Sequence, residues 1–358
     1  MDFRKTYVVL KYYMLKLFKP FMSEDAKKLC MKVLDSDQLA EGAMVKQFEK
    51  EFGDKFELNH VVALNSGTSA LELAYELADI QPGDEVITPI LTCTATNLPL
   101  VRRGAKIIFA DIGPDLNVSV EDIINRVTPQ TKAIVFVHFG GNSRGLDELV
   151  EFCNENSITL IEDAAQSIGG YFGKADFTCI SLQAIKTLTS GDGGVLLTRR
   201  LADYETAKRL RWFGYDREKK QLLGDTDLFE AGYKYHMNNI TAAIGLGNLR
   251  NIDPIIAHRR LIASIYRSYG LFAYPWLAGG FTDDYEGLKE RLGKEGIEIG
   301  QYHYRNDKYT VFNLGYGLVQ DCPAMDLAES SYFFVPYHHG ITEEDAHRIG
   351  KLIKSYEN

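Results

Sequence analysis

Short apolar runs recur along the first half of the chain, separated by segments with a helical period. The runs are "VVALN" (61–65), "DEVITP" (84–89), "AKIIFAD" (105–111), "KAIVFVH" (132–138), "ITLIED" (158–163), "TCISL" (178–182) and "GVLLT" (194–198). Most are apolar at successive positions, the pattern of strands covered by helices on both faces. Between two of them, "SALELAYELA" sets Ala70, Leu73, Ala74 and Leu77 at i, i+3, i+4 and i+7, one buried helical face. This alternation predicts an α/β fold with a mixed, mostly parallel sheet of about seven strands flanked by helices.

After residue 200 the pattern changes. "NNITAAIGLGNLRNIDPIIAHRRLIASIYRSYG" is long and helical, with a break predicted at Pro254. Short irregular strands and two helical segments, "DYEGLKERLGKEG" and "TEEDAHRIGKLIKSY", then predict a smaller α+β domain. The expected division is an N-terminal extension over 1–19, a large domain over 20–250 and a small domain over 251–358. The extension carries lysine or arginine at 4, 5, 11, 16 and 19. These charges leave no apolar core long enough for a signal peptide or a membrane span. It is expected to pack on the fold or on a partner subunit.

Composition narrows the function classes. Hydrophobic residues make up 45% and charged residues 25% of the 358, a globular balance. The net charge of −9 argues against a nucleic-acid binder, whose domain is normally basic. Anionic small ligands stay open, because local donors hold them. The five cysteines (Cys30, Cys93, Cys153, Cys179, Cys322) are odd in number and form no Cys-x-x-Cys pair. Neither a zinc site nor a disulfide framework is supported, and reduced thiols in a cytoplasmic protein are expected.

Ligands of open α/β sheets bind beyond the carboxyl ends of the strands. Four features sit at such ends. Ser66, Gly67 and Thr68 open a helix after the first run, an arrangement that offers free N–H groups and hydroxyls to an anion or simply caps the helix. Asp163 ends the run 158–163, and Gln166 follows three residues later. Ser181 and Lys186 follow the run 178–182. "GDGG" (191–194) then turns the chain into the last run. Lys186 is hemmed in by small, apolar and hydroxyl residues, with no acidic partner at helical spacing. Together these suit pyridoxal 5′-phosphate, which needs an amine for covalent attachment, a phosphate cradle and a carboxylate for its pyridine nitrogen. No metal ligands are required, and the GxGxxG dinucleotide fingerprint is absent.

The stretches "SGTSALEL", "PGDEVITPILTCTATNLPLVRRGAKIIFADI", "TKAIVFVHFGG", "IEDAAQSIGG", "IKTLTSGDGGVLLT", "RLRWFGYDRE", "GYKYHMNNITAAIGLGNL" and "FFVPYHHGITEEDAHRIGKLI" resemble the DegT/StrS-type nucleotide-sugar aminotransferases, among fold type I pyridoxal-phosphate enzymes. The likeness runs from about residue 18 to the end. It implies that Lys186 carries the cofactor and moves protons, and that Asp163 pairs with the pyridine nitrogen. Gln166 would lie near the ring hydroxyl, with Gly67, Thr68 and Ser181 on the phosphate. Lys234 and His236 would enter the active site of the neighbouring subunit, making a homodimer with two shared sites. His303 and Arg305 would face the substrate. For Arg305 a diphosphate partner and a surface salt bridge both stand; Arg211 and Arg217 carry the same ambiguity. His138, at a strand end, reads as a packed, hydrogen-bonded residue.

The chain also departs from the family pattern. Cys93 stands where an aromatic often stacks on the cofactor. The segment between Asp163 and Ser181 is shortened, and so is the small domain around "YRSYGLFAYPWLAGGF". The resemblance implies transfer of an amino group from L-glutamate to a nucleotide-linked 4-keto-6-deoxyhexose, as in perosamine synthesis. A 3-keto sugar substrate and a catalytically inactive cofactor-binding homologue are the alternatives. A dehydratase reading meets Lys186, where such relatives carry histidine.

Overall fold

The computed structural model describes residues 14–224, 227–228, 230–313 and 321–357. Its centre is a seven-stranded sheet. The strands are β1 (Val61–Leu64), β2 (Glu85–Pro89), β3 (Lys106–Ala110), β4 (Thr131–Val137), β5 (Thr159–Asp163), β6 (Phe177–Ser181) and β7 (Gly194–Thr198). Their spatial order is β1-β7-β6-β5-β4-β2-β3. All seven apolar runs therefore form strands, and nearly every strand residue is buried.

Strands β3, β2, β4, β5 and β6 pair in parallel. Parallel neighbours need crossovers, which the helices Gly67–Leu77, Thr94–Arg103 and Leu146–Asn156 help to supply. β7 runs antiparallel to both β6 and β1. β1 consequently points the same way as β6, so Asn65–Thr68, Cys93, Asp163 and Ser181 share one edge of the sheet. The chain reverses between β6 and β7 through residues 182–193, and that reversal carries Lys186.

A second, three-stranded antiparallel sheet follows: β8 (Phe272–Ala273), β9 (Ala278–Phe281) and β10 (Tyr332–Phe334). It packs with the helices Ile252–Ser268, Tyr285–Lys294 and Glu343–Glu357 around Ile262, Tyr266, Leu292, Phe333 and Ile349. The N-terminal extension joins this core. Leu15 is buried in it, its N–H donates to the Gly296 carbonyl at 2.8 Å, and its carbonyl accepts from Glu298 N–H at 3.0 Å. Residues 1–13 lie outside the described residues. The break predicted at Pro254 falls instead at Asn251, between the helices Asn239–Arg250 and Ile252–Ser268. Pro254 sits in the first turn of the second helix, where its missing N–H has no helical partner to lose. Among the described residues no helix is long and apolar enough to cross a membrane.

Candidate active site

Lys186 lies in a loop tied to itself. Leu182 N–H donates to the Gly193 carbonyl, Ser190 N–H and Thr189 Oγ1 donate to the Leu182 carbonyl, and Gly191 N–H donates to Thr189 Oγ1. Asn248 Nδ2 holds the Thr189 carbonyl at 2.8 Å. The glycines do more than turn. Gly191 and Gly193 adopt positive φ, while a Cβ on Gly194 would stand 2.2 Å from the Ser66 carbonyl oxygen. Only a glycine start lets β7 run so close to Ser66–Gly67.

The Lys186 ammonium sits 3.9 Å from the centre of the Trp276 ring. Burial pushes its pKa down to about 8, against the opposing pull of Asp163 and Cys93. Trp276 is fully buried, donates its indole N–H to the Ile185 carbonyl at 3.1 Å, and stacks on Phe18 at 5.2 Å. Tyr302 packs edge-on against it. Sequence reasoning named neither Trp276 nor Phe18 for the site. A tryptophan inside "YPWLAGG" was the signal available, since the chain holds only two.

Asp163 is buried at the tip of β5. Its Oδ2 accepts from Thr96 Oγ1 at 2.7 Å and its Oδ1 from Ala165 N–H at 3.2 Å. Thr96 has one hydroxyl proton, which goes to the carboxylate, so Thr92 Oγ1, 2.9 Å away, donates in turn to Thr96. Thr92 and Thr96 are further site residues absent from the sequence reading. Cys93 caps the helix Thr94–Arg103 between them. Burial raises its thiol pKa; Lys186 and Asp163 also act on it, with opposite signs.

Gln166 is anchored by Gly140 N–H, which donates to Oε1 at 2.7 Å, and its Nε2 lies 3.3 Å from His303 Nε2. Burial, with help from the Lys186 charge, pushes the His303 pKa down to about 3. His303 is therefore neutral and accepts from Gln166. The structure brings His303, Gln166, Asp163, Cys93 and Lys186 together.

Gly67 lies directly against Ser181: a Cβ there would be 2.9 Å from the Ser181 Cβ. Ser66 Oγ caps the helix by accepting from Ser69 N–H at 3.0 Å. The first-turn N–H groups at Gly67 and Thr68 have no intrahelical partner, which is how a helix start receives an anion. The donor set suits pyridoxal phosphate: an amine of lowered pKa, an oriented carboxylate and a narrow anion cup that a side chain at 67 would fill.

Lys234 and His236 lie next to Leu64 and Asn65, just before Ser66, within their own chain. The stretch 233–236 runs beside the end of β1, with Asn65 N–H donating to the Tyr235 carbonyl at 2.8 Å. Lys234 Nζ stands 4.4 Å from the Trp212 ring centre, and the His236 ring meets the same indole edge-on at 3.9 Å. Burial pushes the His236 pKa down to about 4.

Of the two alternatives open for Arg305, the structure shows ion pairs. The side chain is buried rather than at the surface, and its fork is engaged by carboxylates: Nε and Nη2 by Asp307, both at 2.7 Å, and Nη1 by Asp326. It ties the loop after Tyr304 to the helix Pro323–Ala328 and offers no free fork to a diphosphate. Arg211 and Arg217 are likewise engaged, with Glu41 and Glu49. His138 pairs with the fully buried Glu162 at 3.0 Å, in line with a packed role.

Residues 20–273 match the DegT/DnrJ/EryC1/StrS aminotransferase family. The chain belongs to that family. It is 35% identical to a GDP-perosamine synthase of Vibrio cholerae, over 96% of this chain and 100% of the relative. It is 32% identical to a dTDP-4-dehydro-2,3,6-trideoxy-D-glucose 4-aminotransferase of Saccharopolyspora spinosa, over 81% and 83% of the two chains. Among solved structures it is similar to the sugar aminotransferase CalS13 from Micromonospora echinospora, with a TM-score of 0.89, 29% identity, and coverage of 96% of this chain and 100% of that one. The fold is that of fold type I aminotransferases. The chain is a sugar aminotransferase of a family that works with pyridoxal phosphate.

Proposed function

We propose that this enzyme moves the amino group of L-glutamate to C4 of a nucleotide-linked 4-keto-6-deoxyhexose, by way of pyridoxal phosphate held on Lys186. The product is a 4-amino-4,6-dideoxy sugar nucleotide for polysaccharide synthesis. The observation that carries this reading is the Lys186 amine, buried 3.9 Å from the Trp276 ring centre and within electrostatic reach of Asp163 and Cys93. The 4-position rests on relatives named as perosamine synthases and a 4-aminotransferase.

Pyridoxal phosphate, when bound, supplies an electron-withdrawing ring that takes up negative charge from the carbon bearing nitrogen. Lys186 provides the nucleophilic amine, and its lowered pKa leaves a useful fraction uncharged near neutral pH. Freed from covalent attachment, the same amine removes the proton from Cα of glutamate and later delivers one to C4 of the sugar. Asp163, oriented by Thr96 and the Ala165 N–H, holds a proton at the ring nitrogen. Gly67, Thr68 and Ser181, with Ser66 shaping the helix start, bind the phosphate. Gln166, braced by Gly140 and neutral His303, lines the ring's hydroxyl side. Trp276, backed by Phe18, covers Lys186 and keeps water from it. Lys234 and His236, which meet Trp212 in their own chain, complete the partner subunit's site in a homodimer.

The test converts the enzyme with glutamate, removes the donor, and adds keto-sugar nucleotides while following the cofactor's visible absorbance. A 4-keto-6-deoxy sugar nucleotide should restore the starting spectrum fastest. Faster return with a 3-keto sugar nucleotide, or with a free keto compound, would reject the assignment.

A further inference from the structure

A cavity of about 420 Å³ lies between the helix Ile252–Ser268 and two short stretches, Ile168–Gly169 and Tyr274–Pro275. None of the residues assigned above to cofactor or substrate lines it. Three arginines do: Arg259, Arg260 and Arg267. No carboxylate is in the lining, although the chain as a whole carries a charge of −9.

These arginines differ from most others in the molecule. Arg103, Arg126, Arg211, Arg250 and Arg305 each meet a carboxylate. Among the described residues, Arg259, Arg260 and Arg267 meet no carboxylate: they donate to backbone carbonyls, and Arg259 also meets the ring and hydroxyl of Tyr337. Arg259 is 6% exposed; its Nη1 donates to the Trp276 carbonyl at 3.3 Å, and its guanidinium lies 4.9 Å from the Tyr337 ring centre. Its Nε is buried without any hydrogen-bond partner. Arg260 and Arg267 are exposed and donate to the carbonyls of Gly169 and Ala273. At the rim, Tyr274 donates to the Asp115 carbonyl at 3.2 Å, while the Asp115 carboxylate is engaged by Asn142 and Arg144. A buried guanidinium with an orphaned donor and no counter-charge is costly by itself, and an anion offsets that cost.

We propose that this cavity binds a phosphate-bearing small molecule, at a site separate from that of Lys186. Guanidinium forks match phosphate oxygens, and the geometry favours a planar multi-donor group over point charges. The volume falls within the range of small-molecule sites and exceeds what a lone phosphate fills. Ile168, Ile256 and Pro275 supply an apolar wall for the remainder. Bound there, the ligand bridges the loop after Gln166 to the long helix that leads into the second sheet.

Calorimetric titration of cofactor-loaded enzyme at 0.15 M salt tests this, with inorganic diphosphate, a nucleoside diphosphate and succinate as probes. Both phosphate probes should bind. Tighter binding of the nucleotide that is weakened with diphosphate binding in the Arg260→Gln/Arg267→Gln variant assigns the apolar wall to an organic body, and equal binding assigns the site to the free anion. The Arg260→Gln/Arg267→Gln double variant, altered only at exposed positions, should bind diphosphate about 10-fold or more weakly. Its glutamate half-reaction should keep the wild-type rate. Arg259→Lys, which keeps the charge but removes the fork, should weaken diphosphate binding as well. Unchanged diphosphate affinity in the double variant, tighter binding of succinate, or no phosphate binding at millimolar concentration would overturn the site. A lost glutamate half-reaction in a folded double variant would overturn its separateness.

Discussion

The Lys186 amine is where local burial becomes chemistry. Its pKa is pushed from 10.5 to about 8 by desolvation, and Asp163 limits the fall. An amine reacts with an aldehyde only when uncharged, so attachment of pyridoxal phosphate to cofactor-free enzyme should rise with pH through a midpoint near 8. A midpoint above 10 would show an ordinary, solvated lysine. Asp163→Asn removes the charge that keeps a proton at the ring nitrogen, and turnover should fall about 10²-fold or more. Thr96→Val leaves the carboxylate but deletes its 2.7 Å hydroxyl donor. A smaller loss, about 10-fold, is expected. It should come with a shifted pH profile, which a purely structural defect in a folded variant would not produce. Steady-state rates across pH separate these outcomes. Lys186, Asp163 and Gln166 were legible because each stands at or just beyond a strand end in an apolar context. Thr96 was not, because its partner lies 67 positions away and a threonine inside a helix carries no local mark.

Among the elements, strands read well and tertiary neighbours did not. Successive apolar residues bounded by Gly, Pro and Asp identify a strand without reference to the rest of the chain. The placement of Trp276 and Phe18 over Lys186 depends on contacts between distant segments, and periodicity holds no record of those. The helix break was misplaced for a related reason: a proline three residues into a helix looks the same in sequence as one that ends a helix. Close helix packing also hides in small residues. The helices Glu24–Leu34 and Asn239–Arg250 cross where a Cβ on Gly247 would lie 2.2 Å from Ala26 N. Ser23 caps the first helix there, and its own N–H donates to Asn248 Oδ1 at 2.8 Å. Gly247→Ala should therefore destabilise by about 1–3 kcal/mol through overpacking, read as a lower midpoint in denaturant. A variant as stable as the parent would show that the crossing relaxes freely.

For the whole molecule, the contacts of Lys234 and His236 with Trp212 do not by themselves assign either a catalytic role. The homodimer proposed above gives them one across the interface. Mixing a Lys186→Ala chain with a Lys234→Ala chain should yield hybrid dimers with one intact site of the two, and activity should return where each parent alone has lost it. Demonstrated hybrids that stay inactive would remove the shared-site arrangement. The reading of this chain as a sugar aminotransferase that holds its cofactor on one particular amine is tested most directly by reductive trapping. Cofactor-loaded enzyme is reduced with borohydride, digested, and the modified peptide is sequenced by mass spectrometry. The phosphopyridoxyl group should be found on Lys186 alone, and pre-treatment with glutamate should abolish the labelling. Label on another lysine, or label that survives glutamate, would contradict it.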